Sequence, residues 1–222
     1  MPTQIVTSRS EGVVVQTNKL IRNTYTLLAL TLLFSAATCA LSMMVNMGRG
    51  AYLISTLAAF GLIWFALPRT ANSAAGLGVV FAITGLLGFG LGPVLSQYLS
   101  LPNGSQTVMT ALGGTGVIFL GLSAYALTTK RDFSFMGGFL FVGMLVILGA
   151  ALLNIFLAVP ALTLTISAAV ILLMSGFILH DTSRMVNGGE TNYLLATVSL
   201  YLNMFNIFVS LLQLLGIAGS DD

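Results

Sequence analysis

Charge is what this chain has least of. Of 222 residues only 14 are Lys, Arg, Asp or Glu, or 6%, against about 25% in soluble domains. That scarcity, with 57% hydrophobic residues and a mean hydropathy of +1.00, excludes a soluble domain. Cysteine is almost absent. The single Cys39, inside an apolar run, rules out an internal disulfide and any Cys-based metal site within one chain. The single histidine, His180, leaves too few ligands for a buried zinc site, and no HExxH is present. No basic patch suits nucleic acid, and the net charge of +2 says little by itself. No cofactor motif is found.

The placement of the few charges says much more. Between Arg22 and Arg49 lie 26 uncharged residues, between Arg49 and Arg69 19, and between Arg69 and Lys130 60. Between Asp132 and Asp181 lie 48, and between Glu190 and Asp221 30. A bilayer core ~30 Å thick takes roughly 20 apolar helical residues per crossing. The gaps therefore hold one, one, two, two and one spans, in order. Backbone groups in lipid must satisfy one another, so the choice is helices or a closed barrel. The apolar runs are continuous rather than alternating, which selects helices. The expected fold is all-α, a seven-transmembrane-helix bundle embedded in the lipid bilayer.

Turn residues set the boundaries. Residues 1–23 are polar and read as a flexible amino-terminal tail, 24–216 as the transmembrane domain, and 217–222 as a short carboxyl tail. The spans are expected at Thr24–Val45, Ala51–Leu67, Ala74–Leu99, Thr107–Leu127, Phe135–Ala158, Pro160–Leu179 and Tyr193–Gly216. The Val159–Pro160 step divides an apolar run too long for one crossing. The loop Asp181–Asn192 is expected to follow the sixth span. The first apolar run, Tyr25–Val45, has 21 residues, more than the ~7–15 of a signal-peptide core, so it reads as an uncleaved span.

Basic residues give the orientation. With the amino terminus in the cytoplasm, Arg9, Lys19, Arg22, Arg69, Lys130, Arg131 and Arg184 fall inside and only Arg49 falls outside. That sorting obeys the positive-inside rule and puts the acidic carboxyl tail outside, in the periplasm of a bacterial inner membrane.

The last span carries the strongest internal pattern. Ser199, Asn203, Asn206, Ser210 and Gln213 are spaced 4, 3, 4 and 3, which places them within an arc of roughly 80° on a helix. Polar side chains in a bilayer face protein or water, so this helix is expected at the centre of the bundle. The stripe reads either as interhelical glue or as one wall of a hydrated pathway.

Asp181, beside His180, closes the sixth apolar run. It reads as a surface carboxylate at a helix end or as a pH-sensitive latch between spans six and seven. Arg184, three residues on, is a candidate partner along the helix, with Arg69 or Lys130 as partners across helices. Gly88 and Gly92 form a GxxxG that permits close backbone approach. Pro93 predicts a kink in span three, structural first and a gating hinge second. Gly121-Leu122-Ser123-Ala124, with His180, resembles the serine and histidine of rhomboid proteases only faintly, because Ala124 stands where the motif needs glycine. A retinal Schiff base needs a lysine within the membrane, and span seven has none. The chain is expected not to be an enzyme.

Several segments together resemble the Bax inhibitor (TMBIM) family. They are Asp181-Thr-Ser-Arg-Met-Val, Gly188-Gly-Glu-Thr-Asn-Tyr193 and Ser199-Leu-Tyr-Leu-Asn-Met-Phe-Asn-Ile-Phe208, with Gly92-Pro93 and Lys130-Arg-Asp-Phe-Ser-Phe-Met-Gly137. The likeness covers residues 19–216. The starts Lys19-Leu-Ile-Arg-Asn-Thr-Tyr25 and Gly189-Glu-Thr-Asn-Tyr193 are similar to a bacterial inner-membrane subgroup that modulates the FtsH protease. The resemblance implies a seven-helix bundle with the last helix central, and the FtsH protease complex as partner. It also implies a calcium ion as a candidate cargo, because some bacterial members gate a calcium leak with two aspartates that share a proton. Asp181 matches the first aspartate; the second falls on Asn203. An amide does not ionise, so coupled titration of two carboxylates is lost and a pH-gated calcium leak is weakened. Asp181, Asn203, Asn206 and Arg184 remain the candidate gate, with Pro93 the candidate hinge.

Overall fold

A computed structural model of the chain describes residues 3–48 and 50–218, with side chains from 16 to 217 except 49. Arg49 and residues 219–222 of the carboxyl tail, on which two of the expectations above fall, lie outside the described residues. Among the described residues seven helices are long and apolar enough to cross a membrane. They are α1 (Thr3–Met44), α2 (Gly50–Thr70), α3 (Ala75–Leu99), α4 (Gly104–Thr129), α5 (Gly137–Leu157), α6 (Pro160–Val186) and α7 (Tyr193–Ala218). The apolar part of α1 is Gln16–Met44.

The last helix is central. In its most apolar stretch 56% of residues are buried, against 50% in α3 and 6% in α5. It packs on α1, α3, α4 and α6, whereas α2 leans on α3 and α5 on α6. Leu194, Leu200, Tyr201, Ile207 and Leu212 on α7 are almost fully buried. They join Leu28, Val80, Ile83, Phe119 and Ile178 from the surrounding helices in two apolar clusters.

Glycines permit the closest contact, between α1 and α3. A Cβ added at Gly88 would overlap the Ser35 carbonyl oxygen, and one at Gly92 would sit 2.6 Å from the Ser42 Cβ. The GxxxG read in the sequence is therefore the ridge on which α1 lies.

Three boundaries differ from expectation. Helix α1 starts at Thr3, so it continues into the segment expected as a loose tail; extending a formed helix costs far less than nucleating one. Helix α2 does not end before Pro68. It widens into a π turn at Leu62–Ala66, where Leu67 N–H bonds to Leu62 O, and then runs through Pro68 to Thr70. Proline has no N–H and crowds the carbonyl four residues back, and the wider turn accommodates both. The Arg69 guanidinium then bonds to Phe65 O (2.5 Å) and the Thr70 hydroxyl to Ala66 O (2.8 Å). Helix α6 does not stop at Leu179 but continues to Val186, so Asp181 lies within the helix rather than in a loop.

The Val159–Pro160 break is where the sequence puts it. Ala158 adopts a left-handed φ of 50°, Val159 is extended, and α6 begins at Pro160. Asn154 ties this turn: its Oδ1 accepts Val159 N–H (3.1 Å) and its Nδ2 donates to Thr163 Oγ1 (2.7 Å). Pro93 lies inside α3, which remains helical to Leu99.

Candidate functional site at the α6–α7 interface

Asp181 sits one and a half turns before the end of α6, its side chain 13% exposed. Helix α7 runs back alongside α6 after a short loop and presents its polar edge. Ser199 Oγ donates to Asp181 Oδ2 at 2.5 Å, and Asn203 Nδ2 donates to the same oxygen at 2.9 Å. The other oxygen, Oδ1, lies 3.1 Å from His180 Nδ1. Three polar groups thus surround one carboxylate, which joins α6 to α7 one turn inside the bundle. An ionised carboxylate accepts such charge-assisted bonds more strongly than a neutral acceptor would.

The expected ion pairs are replaced by backbone contacts. Arg184 Nη2 donates to Gly189 O at 2.8 Å, holding the α6–α7 loop rather than Asp181. Arg69 bonds its own helix. Among the described residues no Lys or Arg side chain lies within ion-pair distance of a carboxylate, and the contact to Asp181 Oδ1 is the neighbouring His180 ring. A small cavity of about 40 Å³ lies beside the carboxylate, bounded by Arg184, Glu190, Ala196 and Ser199. Glu190 Oε1 accepts the N–H groups of Thr191 and Asn192, both at 2.8 Å, so its carboxylate fixes the loop ahead of α7. Asn192 caps α7 with Oδ1 on Leu194 N–H, while its Nδ2 reaches Ala71 O and clamps the α2–α3 turn.

The end of α6 is held from a third side. Ser183 Oγ donates to Arg131 O (3.0 Å) and accepts from Phe133 N–H (2.9 Å), and Asn187 Nδ2 donates to Ser183 O (3.0 Å). These contacts explain why the helix outlasts its apolar run: the polar residues after Leu179 have partners in the α4–α5 loop.

The rest of the α7 stripe is unequal. Gln213 Oε1 accepts from Ser167 Oγ of α6 at 2.8 Å, a second polar joint at the far end of the interface. Asn206, between the two joints, donates to Leu202 O of its own helix (2.8 Å) and reaches no neighbour. The stripe therefore bonds α6 at two levels. Asn203 and Asp181 are brought together, whereas Asn206, Arg184 and Pro93 take no part in that contact.

Tyr201 is the residue the sequence reading passed over. It is 1% exposed, accepts or donates a 2.6 Å bond with Ser35 Oγ of α1, and donates to Thr84 O of α3 at 3.3 Å. The signal was available: a tyrosine in mid-span rather than at the lipid headgroups needs a buried partner for its hydroxyl.

The protease resemblance finds no geometric support. Ser123 Oγ is buried and has no hydrogen-bond partner, and His180 Nδ1 faces Asp181. Among the described residues no three His, Cys, Asp or Glu side chains converge as metal ligands do.

Comparison with known proteins agrees with this architecture. A family described as inhibitor of apoptosis-promoting Bax1 matches residues 17–220. The chain is 47% identical, over 98% of both chains, to the Escherichia coli K12 protein named modulator of FtsH protease YccA. The same relative from another Escherichia coli strain is named an inner membrane protein. An uncharacterized membrane protein of Vibrio cholerae is 48% identical over 93% of each chain. With seven apolar helices, and with a match that runs from the first span through the last, the chain is a multi-pass inner-membrane protein that belongs to the Bax inhibitor family.

Proposed function

We propose that this protein binds the membrane-anchored FtsH protease and restrains its degradation of other membrane proteins, without catalytic activity of its own. The observation that carries this reading is the end-to-end kinship with a protein named as a modulator of that protease. The geometry is compatible with it: α6 and α7 are bonded shut at two levels, and the Ser123–His180 pair a hydrolase would need is not formed. The amino terminus faces the cytoplasm and the carboxyl terminus the periplasm. Residues 1–18, polar and ahead of the apolar run, serve as the handle by which the protease engages the chain.

Copurification from native membranes tests the partnership. FtsH is expected to accompany the tagged protein. Deletion of residues 2–17 is expected to slow FtsH-dependent turnover while leaving copurification intact. Absence of FtsH from the purified material contradicts the reading. Reporters fused to the two chain ends are expected to read opposite sides of the membrane.

The polar edge of α7 supports a second reading, a calcium or proton leak between α6 and α7 gated by Asp181. It is the weaker one, because Asn203 gives Asp181 an amide donor where a second carboxyl group would be needed.

A further inference from the structure

A cavity in the bundle is apolar, opens sideways, and is not part of the Asp181 site. It has a volume of about 390 Å³ and lies between α1 and α4, floored by α7 and α3. Ala36 and Ala40, one turn apart on α1, form one wall, and Leu112 and Gly116 of α4 form the other. Tyr201 and Phe205 of α7 form part of the floor.

Water has no reason to fill it. The hydroxyl groups in its lining are already engaged: Ser35 Oγ and Tyr201 Oη bond each other at 2.6 Å, and Thr115 Oγ1 donates to Ala111 O of its own helix at 2.8 Å. A buried water wants two to four polar partners, and the weakly polar thiol of Cys39 is a poor one. No charged residue lines the cavity, so a headgroup has nothing to bind there. An empty cavity of this size forfeits dispersion contacts along all its walls.

Three features specify what enters. The mouth is continuous with the lipid-facing surface, because the wall residue Leu112 is 55% exposed and Ala36 and Ala40 are exposed as well. The lining on α1 runs from Leu32 to Met43, roughly 17 Å along the helix axis. That matches half of a hydrocarbon core ~30 Å thick, and it is the half nearer the α1 carboxyl end. The alanines and Gly116 leave room between the two walls. We infer that the crevice between α1 and α4 is a binding slot for one acyl chain of a bilayer phospholipid, drawn from the leaflet at the α1 carboxyl end. The chain completes the packing of α7, whose face there has no helix over it. This inference stands apart from the protease partnership.

Tryptophan quenching by lipid bromine reads the occupant directly. The chain has one tryptophan, Trp64, 74% exposed on α2, which serves as the lipid-facing standard. In a Trp64→Phe background, Phe205→Trp places the reporter on the floor of the slot, and Met204→Trp is the second reporter should the first not fold. The protein is reconstituted in vesicles of phosphatidylcholine brominated at mid-chain, with unbrominated vesicles as reference. The floor reporter is expected to be quenched at least half as strongly as Trp64. Gly116→Phe then plugs the slot; a Cβ there meets nothing within 4 Å, so the side chain leaves the backbone without a clash. The plug is expected to cut quenching of the floor reporter several-fold and leave that of Trp64 unchanged. A floor reporter that is not quenched, or quenched equally with and without the plug, overturns the proposal.

Discussion

Asn203 Nδ2 donates to Asp181 Oδ2 at 2.9 Å across the α6–α7 interface. The amide makes this contact one between a carboxylate and a neutral donor, with Ser199 as the second donor on the same oxygen. Such a joint does not depend on a shared proton. It holds the two helices together whenever Asp181 is ionised.

Asn203→Asp converts the joint into a pair of carboxyl groups at hydrogen-bonding distance. With one proton between them the two groups hydrogen-bond, and with both ionised they repel each other across the interface. That joint is therefore stronger at low pH than at high pH. The variant is therefore expected to melt at lower temperature at about pH 8 than at about pH 5. The comparison is with the unsubstituted chain over the same range, since His180 is common to both. Thermal unfolding in detergent or nanodiscs checks it. Equal pH profiles for the two proteins would show that the residues do not couple.

Tyr201 ties α7 to α1 and α3 through one hydroxyl group. Tyr201→Phe removes that group and leaves Ser35 Oγ buried without its partner. Interhelical bonds in membranes average about 0.6 kcal/mol, and an orphaned buried hydroxyl costs about 1–3 kcal/mol. A loss of about 1 kcal/mol is expected. Combining it with Ser35→Ala is expected to cost less than the sum of the two single changes, because both remove the same bond. Reversible unfolding of the four proteins measures the coupling.

Much of this arrangement is legible in the sequence, for physical reasons. Hydrocarbon excludes charge so strongly that charge gaps count helices, and the 4, 3, 4, 3 spacing on α7 marks the side turned from lipid. Gly88 and Gly92 announce a close helix pair because a Cβ there has no room. The end of α6 is not legible. Asp181 to Val186 is polar enough to read as loop, and contacts distant in sequence hold it as helix: Ser199 and Asn203 on Asp181, and Ser183 on Arg131 O and Phe133 N–H fifty residues away. The π turn before Pro68 is hidden likewise, because proline normally signals an ending. Arg184 misleads because proximity in sequence suggests an ion pair with Asp181, whereas its longer reach finds the carbonyl of Gly189.

The close approach of α1 and α3 gives a paired prediction on glycine. Gly88→Val forces the Ser35 backbone away and is expected to cost about 1–3 kcal/mol or more. Gly113→Ala, where an added Cβ meets nothing within 4 Å, is expected to change stability little or raise it slightly. Melting temperatures in the same detergent compare them. A Gly88→Val protein as stable as the parent would contradict the packing of α1 on α3.

Ion flux separates the two functional readings. With α6 and α7 joined at Asp181–Asn203 and again at Ser167–Gln213, proteoliposomes are expected to show calcium flux at background level at both about pH 6 and about pH 8. A flux that rises at one pH and disappears in Asp181→Asn would instead support the leak.

The most direct test of the account is a reconstituted degradation assay. FtsH and one of its membrane substrates are placed in proteoliposomes with or without this protein, and the rate of substrate loss is followed. The account predicts that the rate falls several-fold as the protein is added and recovers when it is left out. An unchanged rate, with both proteins folded in the same bilayer, would contradict it.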